Sequence, residues 1–206
     1  MINHLERMYH RADQIDLHEG KLAYMRYHNL LQELARHYDM PFNKVVAAFV
    51  ALSPNSDYVG NLRSLKTLLE GVQQHLPVAS INVSTYRHCL KRAHMYLTGE
   101  EEFLDHANGL KIRSFYDNIL YPHTSRAVTV DGHIYAVWKN DPTLVMKDAK
   151  VTKASYKVVE KCIQDLADTV GLVPCQVQAV IWFARKRILR IKYEPQLDLF
   201  TGADNH

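Results

Sequence analysis

The 206-residue chain predicts an all-α fold, on three observations. Apolar residues recur at three- and four-residue steps along most of its length, the mark of helices with one buried face. The segments so marked are punctuated by proline, serine, threonine or aspartate at their starts and by glycine at their ends. No stretch alternates apolar and polar residues with the period of two that a half-buried strand needs.

Taken in order, residues 21–38 set Leu22, Met25, Leu30, Leu34 and Tyr38 on one face of an amphipathic helix. Pro41 restarts the chain, and NKVVAAFVAL (residues 43–52) is apolar nearly all round, so it is expected to be a central buried helix. Pro54 disfavours helical geometry at Ser53, and Ser56 or Asp57 can cap a following helix that carries Val59, Leu62, Leu65, Leu68 and Leu69. Gly71 is a natural stop for that helix. Residues 73–84 are extended or loop. Residues 85–97 form a helix with a basic face of Arg87, Lys91 and Arg92, closed at Thr98-Gly99, and residues 100–105 open a short helix. Beyond Trp138, Lys139-Asn140-Asp141-Pro142 is a turn. Two helices finish the domain, over residues 152–170 with Gly171 as terminator and over residues 174–192 with Pro174 in the first turn. Residues 1–194 are read as one helical domain of two lobes, and residues 195–206 as a flexible tail.

Composition narrows the function classes. With 47% hydrophobic and 23% charged residues the chain can bury a core, and no apolar run is long enough to span a bilayer. The segment MINHLERMYHRADQ has no signal-peptide core, so a cytoplasmic, nucleoid-associated protein without membrane contact is expected. Cys89, Cys162 and Cys175 are far apart and odd in number, which argues against a disulfide framework or a thiolate metal cluster. The sequence has no HExxH, no phosphate-binding glycine loop and no GxSxG, and its 12 histidines are scattered. No cofactor and no metal is expected. A net charge of +3 is compatible with nucleic acid and does not require it.

The chemistry concentrates in residues 109–138, GLKIRSFYDNILYPHTSRAVTVDGHIYAVW. Gly109 can take positive φ without steric cost, and the helix that follows it directs free N–H groups toward any nearby phosphate. Lys111 stands at that start, with Asn108 and Arg113 beside it. Asp131 follows the β-branched run Val128-Thr129-Val130 and precedes a second helix start, where the helix dipole favours a charged carboxylate. A helix cap is the ordinary role of such an aspartate.

GLKIRSF followed by VTVDGHIYAVW resembles the helix-hairpin-helix DNA glycosylases, the superfamily of endonuclease III and the 8-oxoguanine glycosylases. In that family a Gly-x-Lys hairpin supplies a lysine that attacks the sugar, and a Val-Asp-x-His segment supplies the essential aspartate. The resemblance implies a two-lobed helical fold with a central DNA-binding cleft, Asp131 and Lys111 as catalytic residues, and DNA contacts at Asn108, Gly109, Arg113 and His133. Residues 51–57, ALSPNSD, are similar to the Leu-Ser-x-Gln segment that enters the minor groove, which implies DNA contacts at Ser53 and Asn55. The sequence departs from the family in three places. Ala107 stands at the first hairpin glycine, Asn55 replaces the glutamine, and the four-cysteine cluster of endonuclease III is missing.

The implied reaction takes a damaged or modified base out of the duplex and cleaves its N-glycosidic bond. The carboxylate stabilises the cationic sugar, and a lysine attack would add strand cleavage through a Schiff base. Two alternatives stay open. One is a phage-type base-hypermodification enzyme of glycosylase descent. The other is a non-catalytic helix-hairpin-helix adaptor. Arg185 and Arg187, in the basic run that ends the last helix, are expected to be DNA contacts, although a solvated helix face explains them equally well. In the tail, Gln196-Leu197-Asp198-Leu199-Phe200 resembles the pentapeptide that binds the bacterial β sliding clamp, with Leu199 and Phe200 entering an apolar pocket.

Overall fold

A computed structural model describes residues 3–54, 56–107, 109–144 and 149–191. Among these residues the fold is all-α, with ten α-helices, a single 3₁₀ turn and no strand. The chain divides into two compact units. One takes its described residues from Met1–Arg26 and Val130–His206, the other is Tyr27–Thr129.

The first unit holds α1 (His4–His10), the opening turns of α2 (Gln14–His37), α8 (Gly132–Lys139), α9 (Lys153–Val170) and α10 (Pro174–Ile188). Helix α10 is its hub, packing on α1, α8 and α9. Pro174 begins it, and Cys175, Val177, Val180, Ile181 and Ala184 are fully buried along it. The Cys175 thiol is pushed up to about 12 by that burial, which makes it a packing group and not a nucleophile. Gly20 of α2 lies so close that an added Cβ would stand 2.5 Å from the Val180 backbone nitrogen, so only glycine fits there. Helix α9 presents Tyr156, Val159, Ile163 and Leu166 to the core. Thr152 and Ser155 form its capping box, and Gly171, at φ +69°, ends it.

The second unit holds the rest of α2, α3 (Phe42–Leu52), α4 (Tyr58–Gln73), α5 (Arg87–Thr98), α6 (Phe103–His106) and α7 (Leu110–Leu120), with the 3₁₀ turn at Val78–Ser80. Every residue of α3 from Val45 to Leu52 is buried, because α4, α5 and α7 all pack on it. Asp57 caps α4 by accepting the Gly60 N–H at 2.7 Å. Gly99, at φ +81°, closes α5.

Several boundaries differ from the expected ones, each for a local reason. Helix α2 starts at Gln14 because Asp13 and Asp16 exchange side-chain-to-backbone bonds of 2.9 and 3.1 Å, the reciprocal pattern of a capping box. Gly71 does not stop α4. It is buried against Ile81, whose Cδ1 would stand 2.6 Å from an added Cβ, and the chain leaves the helix at His75, φ +54°. Helix α10 ends at Ile188, short of residue 192, as Arg190 turns to φ +52°. Among the described residues no single helix is long and apolar enough to cross a membrane.

Candidate functional site

Asp131 is positioned from both sides of the chain. Upstream, Val128, Thr129 and Val130 run buried, and the Val130 N–H donates to the Tyr156 hydroxyl at 3.3 Å. Asp131 itself is extended at φ −92°, ψ 179°, and its Oδ1 accepts the Ile134 N–H at 2.9 Å, so it caps α8. The carboxylate is half-buried. Sequence alone anticipated that cap.

The surroundings of Asp131 come from α10. Arg185 is only 4% exposed, and its Nη1 donates to His133 Nδ1. Because arginine only donates, Nδ1 is the acceptor, which leaves the ring proton on Nε2. Burial pushes the Arg185 guanidinium down from the usual arginine range, while the charges of Asp131 and Asp141 act in the opposite direction. The Trp182 ring meets the His133 ring edge-on at 6.0 Å, and Lys186 lies 4.2 Å over Trp182. A half-buried carboxylate, an imidazole and a buried guanidinium therefore share one neighbourhood.

Arg187 has a different role from Arg185. It pairs with Asp13 at 2.9 Å and with Asp16 at 2.7 Å, and donates to the Arg11 carbonyl at 2.8 Å. Asp16 is 1% exposed, so this is the charge that neutralises a buried carboxylate and ties α10 to the α1–α2 turn. Of the two arginines expected to contact DNA, Arg185 is buried and lines a cavity of the first unit, and Arg187 is paired with Asp13 and Asp16.

The hairpin residues lie in the other unit. Gly109 is the N-cap of α7, and at φ −83°, ψ 126° it does not take the positive φ expected of it. The α6–α7 turn is braced instead by Arg113, which donates to the carbonyls of Ala107 and of Leu104, the latter at 2.6 Å. Lys111 is exposed on the first turn of α7. Ser53 ends α3, its Oγ returning to the Val50 carbonyl at 2.8 Å. Asn55, Asn108 and Gln196–Leu197–Asp198–Leu199–Phe200 lie outside the described residues.

Two cavities were not foreseen. One, of about 270 Å³ in the first unit, is lined by His4, Arg7, Arg11, Asn140, Asp141 and Arg185. Its signal in the sequence is the spacing of His4, Arg7 and Arg11, a basic stripe at three- and four-residue steps. The other, also about 270 Å³, lies in the second unit beside Lys44, Tyr96, Glu101, Glu102 and Asp105. Its acidic lining opposes a phosphate. Among the described residues no group of three or more histidines, cysteines and carboxylates is placed to hold a metal ion.

No curated protein and no solved structure matches the chain. The model of a family of unknown function (DUF7178) matches residues 1–189, and the chain belongs to that family.

Proposed function

We propose that the protein is a DNA glycosylase-like enzyme that flips a damaged or modified base and cleaves its N-glycosidic bond. The observation that carries the reading is Asp131 in its Val-Asp-Gly-His frame, half-buried at the start of α8, with the Arg185–His133 pair nearby. In the reaction the C1′–N bond breaks and its electron pair leaves with the base. The anionic carboxylate stabilises the cationic sugar. Water then forms the new C1′–O bond, and its proton passes to Asp131.

Lys111, with the α7 N–H groups around it, is assigned to a backbone phosphate. Its exposure suits that role better than an attack on the sugar, because amine nucleophiles are activated by desolvation in a closed pocket. Ser53 and Asn55 are assigned to the minor groove. The tail, through Gln196, Leu197, Asp198, Leu199 and Phe200, is assigned to a bacterial β sliding clamp, which would place the enzyme on replicating DNA in the cytoplasm of a bacterium.

The test is base release from a panel of oligonucleotides with damaged or modified bases. Asp131→Asn is the decisive variant, because asparagine caps a helix as well as aspartate and removes only the charge. Release by the wild type and its loss in the variant support the enzyme. Undiminished release by the variant would sink the assignment of Asp131.

A second reading rests on that same cap. The bond from Ile134 gives Asp131 a complete structural role, which favours a non-catalytic DNA-binding adaptor recruited by the clamp. Intact DNA binding with no base released from any substrate is the outcome that selects it.

A further inference from the structure

We infer that the basic cavity between α1, α8 and α10 is a binding site for a phosphoryl group carried on a nucleotide or a nucleic-acid strand. Three arginines line it. Arg7 and Arg11 come from α1 and its C-terminal end, and Arg185 comes from α10. One carboxylate, Asp141, lines it with them. Its Oδ1 is turned onto its own loop, accepting the Thr143 N–H at 2.9 Å, the Thr143 hydroxyl at 2.7 Å and the Leu144 N–H at 3.1 Å. Those bonds hold Asp141 below the ordinary carboxylate range, so its charge persists at neutral pH and still leaves the arginines in excess.

The ligand class follows from the kind of cation and from its placement. All the fixed positive charge in the lining is guanidinium, whose planar fork pairs bidentately with phosphate or carboxylate oxygens. A single carboxylate presents two oxygens in one plane, which suits one guanidinium fork better than three. A phosphoryl group presents three or four oxygens in a tetrahedron, which suits guanidinium groups arriving from two helices. Arg185 contributes a donor that is already desolvated, so its bond to an anion is stronger than one made in open water. Leu5, fully buried under α1, fixes the helix that carries Arg7. A volume of about 270 Å³ is at the small end for ligand pockets, room for a phosphate with its sugar and not for a larger cofactor.

The test uses the full chain and three probes at one ionic strength: inorganic phosphate, a deoxynucleoside 5′-monophosphate, and a fluorescein-labelled single-stranded oligonucleotide. The variant is the double substitution Arg7→Gln and Arg11→Gln, both exposed and therefore tolerated by the fold. The control is Lys157→Gln with Lys161→Gln on the exposed face of α9. Saturable binding of at least one probe to the wild type is expected, weakened about tenfold or more in the arginine variant and changed less than about twofold in the control. Competition by the monophosphate identifies a free nucleotide as the source, whereas binding of the oligonucleotide alone identifies a phosphodiester. No saturable binding of any probe, or equal weakening in the control, overturns the inference. Base excision is not read in this experiment, so its outcome is independent of Asp131.

Discussion

Asp131 caps α8 at the end of a buried stretch, half-buried, with His133 two residues on along α8 and the Arg185 guanidinium of α10 bonded to that ring. Lys111 stands exposed on the first turn of α7, at a turn braced by Arg113. Both sit at a helix start, in the two halves of one sequence stretch, yet they belong to different compact units. Near Asp131 a buried arginine from far along the chain bonds the His133 ring. Around Lys111 the charge stays in water and the neighbouring arginine serves the backbone. On the proposed reading, the contrast is between a group for chemistry and one for contact.

The largest effect that can break this comparison is on turnover. Asp131→Asn is expected to lower base release by at least about 100-fold, the scale of losing one electrostatic contributor to a transition state, with unfolding midpoint unchanged. A stability loss without an activity loss would return Asp131 to a pure cap. Next in size is Arg185→Gln. It removes a buried guanidinium and its bond to His133, at a cost of about 2 kcal/mol in urea unfolding followed by circular dichroism. A cost below about 0.5 kcal/mol would mean that the bond from Arg185 to His133 does not hold in solution.

Local signals carried most of the fold. Helix α3 was legible because eight consecutive apolar residues leave no polar face, and α9 because its apolar spacing, cap and terminal glycine agree. The cap at Asp131 was legible for the same reason, being encoded within four residues. Two glycines misled in opposite ways. Gly71 is there for the close approach of Ile81, and Gly109 is extended, so neither position uses positive φ. The pairings that define the site were not legible at all. Arg185 meets His133, and Arg187 meets Asp13 and Asp16, across most of the chain, and no local rule ties such partners together. The basic cavity was missed with α1, a short helix whose N-terminal Asn3 cap and stripe of His4, Arg7 and Arg11 are the signals that announce it.

On the hairpin side the expected effects are smaller. Arg113→Gln removes the donors to Leu104 and Ala107 and should cost about 1 kcal/mol in the same unfolding experiment, without changing DNA affinity beyond about twofold. The opposite pattern, full stability with weakened DNA binding, would reassign Arg113 from the turn to the ligand.

Lys111→Gln should be nearly silent in stability, since an exposed residue on a first turn packs against little. As a phosphate contact it should weaken oligonucleotide binding a few-fold, evenly across sequences, and lower the salt dependence of binding by about one counterion. Borohydride added during turnover distinguishes the two roles of the amine. A contact leaves no adduct, whereas a Schiff base is reduced to a covalent protein–DNA product that the glutamine variant lacks. Recovery of that product from the wild type would erase the contrast between the two helix starts, because a solvated lysine would then have to lose its water in the complex, and Asp131 would share the chemistry with it.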